Sequence, residues 1–164
     1  MRMADKPTVS VETVIDAPAD VVYEVVSNLE VMGSMGTEFQ RGEWATGRPG
    51  TLGSTFVGYN RRNENEWSTT SRVVAAEPGR AFGWDVLVGD TDEALASWHF
   101  TMRQVPDGTE VVYTATMGPG PSGLTAVIDK RPDDEEEIID ARLKMHQENM
   151  VKTLEGIRRR VTQH

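Results

Sequence analysis

The chain has 164 residues and a formal net charge of −9, with 26 acidic against 17 basic side chains. This acidic balance argues against a binding surface for nucleic acid or anionic lipid, because both attract clustered Lys and Arg. The chain contains no cysteine, which excludes disulfides, thiolate nucleophiles and cysteine-based metal sites. No apolar run of about 18 residues could span a membrane, and the first residues lack the apolar stretch of a signal peptide. We therefore expect one domain over residues 1–164 of a cytoplasmic protein, without stable membrane insertion.

The first part of the chain predicts a strand followed by a short helix. Residues 8–15 alternate between polar and apolar side chains, as a half-buried strand does. Asp16-Ala17-Pro18-Ala19 is typical of a helix start, since proline suits the first helical turn. Valines from Val21 onward and Leu29 then give a short apolar helical face. The stretch 31–37 is glycine-rich, and it predicts a loop or a broken helical turn.

Six further strands are predicted in the middle of the chain. They cover residues 40–46, 53–61, 67–76, 80–88, 94–105 and 109–117. Most of the connections are short and contain Gly, Asn, Asp or Pro, as in Pro106-Asp107-Gly108. Short turns of this kind favour an antiparallel meander in which sequential strands are neighbours.

The last part of the chain predicts a loop and then a long helix. Residues 118–132 contain three Gly and three Pro, so we expect a structured loop that could cover a pocket. Its Gly-Pro-Gly-Pro-Ser-Gly at 118–123 has the spacing of a nucleotide-binding loop, but proline lacks the N–H that would bind phosphate. A helix is predicted from Asp133 to Val161, with Asp133 as the N-cap and Glu136 three residues later. Its apolar stripe is Ile139, Leu143, His146, Met150, Leu154, Ile157 and Val161.

These elements predict an α+β domain in which a curved antiparallel sheet packs against the last helix. Several motifs along nearly the whole chain carry a family resemblance. They are Ile-Asp-Ala-Pro-Ala-Asp-Val-Val-Tyr at 15–23, Gly-Ser-Thr-Phe-Val-Gly-Tyr-Asn-Arg at 53–61, Trp67 leading to Glu77-Pro78-Gly79-Arg80, Trp98, Asp107-Gly108-Thr109, and Asn149-Met150 ahead of Thr153 to Ile157. In this order they resemble the polyketide cyclase/dehydrase branch of the START-like, Bet v 1-like (SRPBCC) superfamily.

The resemblance implies a helix-grip fold, in which a seven-stranded antiparallel curved sheet wraps around a long C-terminal helix and encloses an apolar cavity. It does not imply a single function, because members include aromatase/cyclases as well as lipid and hormone binders. It brings no fixed catalytic motif that could be matched residue by residue.

Alternation along the predicted strands and spacing along the helix place one set of side chains between sheet and helix. This set combines aromatic rings with a few polar groups, which is typical of a small-molecule site. The predicted ligand-binding residues are Phe56, Asn60, Trp67, Ser71, Trp84, Trp98, His146 and Met150.

The histidines do not predict a metal site, because no pair among His99, His146 and His164 has a helical ligand spacing. We expect no metal and no cofactor. His146 lies in the apolar stripe, where it is either a core histidine bonded to a neighbour such as Ser71 or a group that contacts a ligand. The catalytic residues are unknown from sequence. The polar candidates for acid–base work are Tyr59, Asn60, Arg61 and His146.

Two functions remain open on these observations. The first is binding or transport of a hydrophobic small molecule, such as a lipid or a polyketide, in the internal cavity. The second is a polyketide aromatase/cyclase or dehydratase that uses the same pocket, since cyclisation needs a shaped cavity and an acid or base. A protein-interaction module is a third possibility that nothing in the composition favours. The sequence predicts neither the ligand nor the oligomeric state.

Overall fold

The computed structural model of the protein describes residues 2–35 and 38–162. Seven strands form one antiparallel sheet in the order β1-β7-β6-β5-β4-β3-β2. The strands are β1 (Thr8–Ile15), β2 (Phe39–Thr46), β3 (Thr55–Arg62), β4 (Asn65–Glu77), β5 (Ala81–Leu87), β6 (Ala94–Val105) and β7 (Gly108–Met117). The last six strands form the meander that the short turns predict, and β1 pairs with β7.

The helices are α1 (Ala19–Val26), α2 (Leu29–Met35), α3 (Gly123–Lys130) and α4 (Glu135–Thr162). One long helix against a seven-stranded antiparallel sheet is the helix-grip arrangement, so the predicted α+β fold class is confirmed. The predicted stripe of α4 is also confirmed as its packed face. Leu143 is half-buried, and the other six stripe residues are buried.

Of the two alternatives predicted for residues 31–37, a loop or a broken helical turn, the loop is wrong for the part that the structure describes, because α2 continues to Met35. Gly36 and Thr37 lie outside the described residues. Leu29 and Met32 are buried, and this packing offsets the weak helix propensity of glycine. Gly33 is also needed for the close approach of α2 to β2. A Cβ at Gly33 would lie 2.5 Å from the carbonyl oxygen of Gln40.

Other boundaries also differ from the prediction. Pro18 is the N-cap of α1 rather than a first-turn residue, and Leu29 belongs to α2 because the chain breaks its helix after Val26. Within the predicted loop 118–132, residues Gly123–Lys130 form α3, whose Ile128 is buried. A 3-10 turn at Pro132–Asp134 follows, so α4 begins at Glu135 and Asp133 is not its N-cap.

The hydrophobic core lies between the concave face of the sheet and α4, with α1 and α2 closing one side. Phe82, Phe100, Val111 and Ile157 are fully buried there. The core is not filled along its whole length, and the remaining space forms the candidate site.

Candidate functional site

A cavity of about 140 Å³ lies between the inner face of the sheet and the middle of α4. Strands β2 to β7 form one wall, and α1, α2 and α4 form the other. Its most deeply buried wall residues include Ser71, Phe82 and Met150. Glu38 and Asn60 are polar wall residues that are only half-buried.

Seven of the eight predicted site residues lie in the cavity wall. They are Phe56, Asn60, Ser71, Trp84, Trp98, His146 and Met150. The strand residues come from β3, β4, β5 and β6, where alternation turns every second side chain inward. The two helix residues are four positions apart on α4, and therefore they lie one turn apart on one face.

Trp67 does not line the cavity, so the prediction that places it there is wrong. Its side chain is 36 % exposed, and it pairs with Asn60 near the start of β4. It has the same parity as Ser71 along the strand, and its cross-strand partner Asn60 lines the cavity, but the Trp67 side chain itself is exposed and is not part of the wall. Two of the polar candidates for catalysis also lie outside the wall. Arg61 is exposed, and Tyr59 packs under the guanidinium of Arg41.

The polar wall residues that are absent from the predicted set include Glu38, Tyr113 and Asn149. Tyr113 could have been found, because it alternates along β7 with the buried residues Val111 and Ala115. Glu38 lies just before β2, in a segment whose alternation gives no clear inner face. Asn149 precedes Met150 at the edge of the apolar stripe.

Several polar side chains of the wall form no hydrogen bond with another group of the protein. In the part of the chain that the structure describes, no protein group bonds to the side chains of Asn60, Thr69, Ser71 or Asn149, and no buried polar side-chain atom is sealed without a partner. Buried polar groups in folded proteins have partners. These atoms are therefore placed to bond with whatever occupies the cavity.

His146 is the titratable group that lies deepest along the helix wall. Its ring packs edge-on against Trp98, with 5.1 Å between the ring centroids, and the residue is 9 % exposed. Burial, together with the charges of Arg142 and Arg62, lowers the pKa of His146 to about 4, and the charge of Glu38 opposes the shift. The imidazole is therefore neutral at pH 7. Among the described residues, none forms a hydrogen bond with the His146 ring, so Ser71, which was one of the possible partners, does not bond to it.

An ion pair connects the two walls beside His146. Arg142 of α4 donates to both carboxylate oxygens of Glu38, at 2.9 Å and 3.0 Å. Burial would raise the pKa of Glu38, but the hydrogen bonds and charge of Arg142 outweigh this and lower it. The two side chains are only 18 % and 17 % exposed. The pair fixes the segment before β2 to α4. The positive charge of Arg142 compensates the negative charge of the Glu38 carboxylate.

The described residues contain no cluster of three or more His, Asp or Glu side chains that could hold a metal ion. None of the helices in residues 2–35 and 38–162 is long and apolar enough to cross a membrane.

Comparisons with known proteins agree with this architecture. A family model described as polyketide cyclase/dehydrase and lipid transport matches residues 6–155. A polyketide cyclase-like protein of Corynebacterium glutamicum, solved by NMR, is 29 % identical, with a TM-score of 0.66 over 93 % of this chain and 89 % of that one. No curated protein matches the chain.

Two more distant structures show the same fold. The aromatase/cyclase Zhui from a Streptomyces species has a TM-score of 0.70 at 18 % identity, covering 94 % of this chain and 93 % of that one. The major latex-like protein 151 of Panax ginseng has a TM-score of 0.66 at 11 % identity, covering 96 % and 99 %.

Proposed function

The chain belongs to the polyketide cyclase/dehydrase and lipid transport family, and from this premise we propose that it binds a hydrophobic small molecule in the cavity between the sheet and α4. The observation that carries the proposal is the wall itself, which combines aromatic rings with polar side chains that have no protein partner. Small-molecule sites have this composition, since apolar contact supplies affinity and a few polar groups fix the orientation.

The size of the cavity favours an aromatic molecule over a long-chain lipid. Its volume of about 140 Å³ is below the roughly 300–1,000 Å³ of sites for drug-sized ligands. An engineered apolar cavity of about 150 Å³ holds one benzene ring. Phe56, Trp84 and Trp98 offer edges and faces to such a ring. The rest of a larger ligand would extend toward the half-buried side chains of Glu38 and Asn60.

The second candidate is catalysis of cyclisation or dehydration in the same cavity. The family description and the aromatase/cyclase among the structural neighbours support it. Such a reaction needs a group that accepts a proton, and the neutral ring of His146 faces the cavity. A pKa of about 4 makes this ring a weak base at pH 7. Binding is therefore the first proposal, and catalysis is the second.

The test is calorimetric titration of the protein with naphthol, a two-ring aromatic probe. We expect saturable binding of one molecule per chain. The variant Ser71→Leu places apolar bulk in the cavity, because Ser71 is 2 % exposed and lines it. It should weaken naphthol binding by about tenfold or more, which corresponds to about 1.4 kcal/mol.

The matched control is Ser68→Leu, which adds the same atoms to an exposed position of the same strand. It should leave naphthol affinity unchanged. Thermal melts of both variants check that the fold is intact. Absence of saturable binding by the wild type, or equal affinity of Ser71→Leu and wild type, would overturn the proposal.

A further inference from the structure

Met145 of α4 is the most exposed methionine in the part of the chain that the structure describes. It is 38 % exposed, whereas Met102 and Met150 are only 6 % and 1 % exposed. Met3 and Met35 are half-buried. An oxidant in solution reaches the sulfur of an exposed methionine, while packing shields the sulfur of a core methionine. Met145 is therefore the position at which oxidation of this protein should begin.

Two guanidinium groups donate to the sulfur of Met145. Arg142 lies three residues earlier on α4, and its Nη1 is 2.9 Å from the sulfur. Arg62 lies at the end of β3, and its Nη1 is 3.9 Å from the same atom. Among the described residues, no carboxylate pairs with Arg62. A thioether sulfur is a weak acceptor, so the charge of Arg62 has no strong partner here.

Oxidation of the sulfur by a hydroperoxide would supply that partner. In the reaction with hydrogen peroxide, a lone pair of the sulfur attacks one peroxide oxygen, and the O–O bond breaks as the S–O bond forms. The second oxygen leaves as hydroxide and takes the proton of the transferred oxygen, which gives water. The sulfur loses two electrons, and the peroxide gains them. The product is methionine sulfoxide, which reductases convert back to methionine.

The surroundings of Met145 suit a sulfoxide better than a thioether. The sulfoxide oxygen carries partial negative charge, and hydrogen bonds from a charged donor are stronger than those between neutral groups. In a hydrophobic core the same modification disrupts packing, because it buries a polar atom. At Met145 the new oxygen remains exposed to water and close to two cations. Oxidation therefore costs little burial here and adds an acceptor for both arginines.

We propose that Met145 is a redox-sensitive modification site, at which a hydroperoxide forms a sulfoxide whose oxygen binds Arg62 and Arg142. Arg142 already pairs with Glu38, in the segment before β2. The bond from Arg62 extends this connection to the end of β3, so that β2, β3 and α4 are joined at one point. Oxidation at this site thus stabilises the fold. The proposal is independent of ligand binding in the cavity.

The experiment treats the protein with hydrogen peroxide and follows each methionine by peptide mass spectrometry. Met145 should gain an oxygen atom before Met102 and Met150 do, because it is the exposed one. Urea denaturation then compares the oxidised with the reduced protein. Oxidation should lower the equilibrium constant of unfolding by about two- to fivefold, the range of an exposed charged interaction. Methionine sulfoxide reductase should reverse the change.

Three variants assign the effect to this site. Arg62→Leu removes one donor, so its gain in stability on oxidation should be smaller than that of wild type. Arg61→Leu is the matched control, because Arg61 points to the opposite face of β3 and donates to the carbonyl oxygen of Asn63. It should keep the full gain. Met145→Leu should show no gain, which excludes the half-buried methionines as the cause.

Several outcomes would overturn the proposal. Oxidation of Met102 or Met150 as fast as that of Met145 would show that exposure does not select the site. An unchanged or lower stability of the oxidised wild type would show that the sulfoxide forms no favourable bond. An equal gain in wild type and Arg62→Leu would show that Arg62 does not bind the sulfoxide oxygen.

Discussion

At the scale of single residues, the lowered pKa of His146 makes the stability of the fold depend on pH. In the unfolded chain the pKa of a histidine is near its reference value of 6.5, whereas in the folded protein that of His146 is about 4. Between these two values the unfolded state binds more protons than the folded state. Acidification therefore favours unfolding in this window.

We predict that the free energy of unfolding falls by about 3 kcal/mol as the pH is lowered from 6.5 to 4, since each pKa unit corresponds to about 1.36 kcal/mol. The lowered pKa of Glu38 acts in the same direction, but only below its ordinary value of 4.5. The loss above pH 4.5 thus reports on His146. Urea denaturation at a series of pH values measures it.

The control for this prediction is His146→Leu, which should lose little stability between pH 6.5 and 4.5. At pH 7 it should be at least as stable as wild type, because no described protein group bonds to the ring. Parallel pH profiles of the two proteins would show that another group causes the loss. A large loss at pH 7 would show that the ring has a structural partner.

Residue patterns predicted which face of a strand a side chain lies on, but not whether that side chain lies in the cavity wall. Two-residue alternation correctly turned Ser71, Trp84 and Trp98 inward, because a strand allows only two faces. It failed for Trp67, since parity along β4 does not reveal where the cavity ends. Tyr113 carried the same signal and was overlooked. The absence of protein partners for the side chains of Asn60 and Ser71 could not be predicted from sequence, because it depends on what the neighbouring strands place opposite them.

At the scale of elements, α4 is the part whose sequence pattern and packing agree most closely. Its stripe recurs at steps of three and four, and Met150, Leu154 and Ile157 are each no more than 2 % exposed. The shorter helices were harder to predict. Gly33 lowers the local helix propensity of α2, and the glycine- and proline-rich residues 118–123 precede and begin α3. Burial of Met32 in α2 and Ile128 in α3 favours the helices, and that burial exists only in the folded chain.

We predict that Leu154→Ala lowers the free energy of unfolding by about 2–5 kcal/mol, the usual cost of a cavity in a packed core. Leu154 is 2 % exposed, whereas Val151 on the same helix is 47 % exposed. Val151→Ala should therefore change stability by no more than about 0.5 kcal/mol. Urea denaturation measures both variants. Similar costs for the two would contradict the assignment of the packed face.

At the scale of the whole molecule, the fold follows from a small number of features that the sequence shows. Short turns between strands require antiparallel neighbours, and one long amphipathic helix requires a surface of matching length. A curved sheet around that helix satisfies both. The presence of a cavity between the sheet and the helix could be predicted from these elements. The size of the cavity could not be predicted, because it depends on how completely side chains from different elements fill the space between them.

The central claim is that a small aromatic molecule binds between the sheet and α4, and the tryptophan side chains test it most directly. Trp84 and Trp98 line the cavity, whereas Trp67 lies outside it and is 36 % exposed. The measurement is a titration with naphthol, followed by the indole N–H signals in a ¹H–¹⁵N NMR spectrum. We predict that the indole N–H signals of Trp84 and Trp98 shift until they reach saturation, while the chemical shift of the Trp67 signal does not change. Unchanged signals for Trp84 and Trp98, or a shift of Trp67 alone, would contradict it.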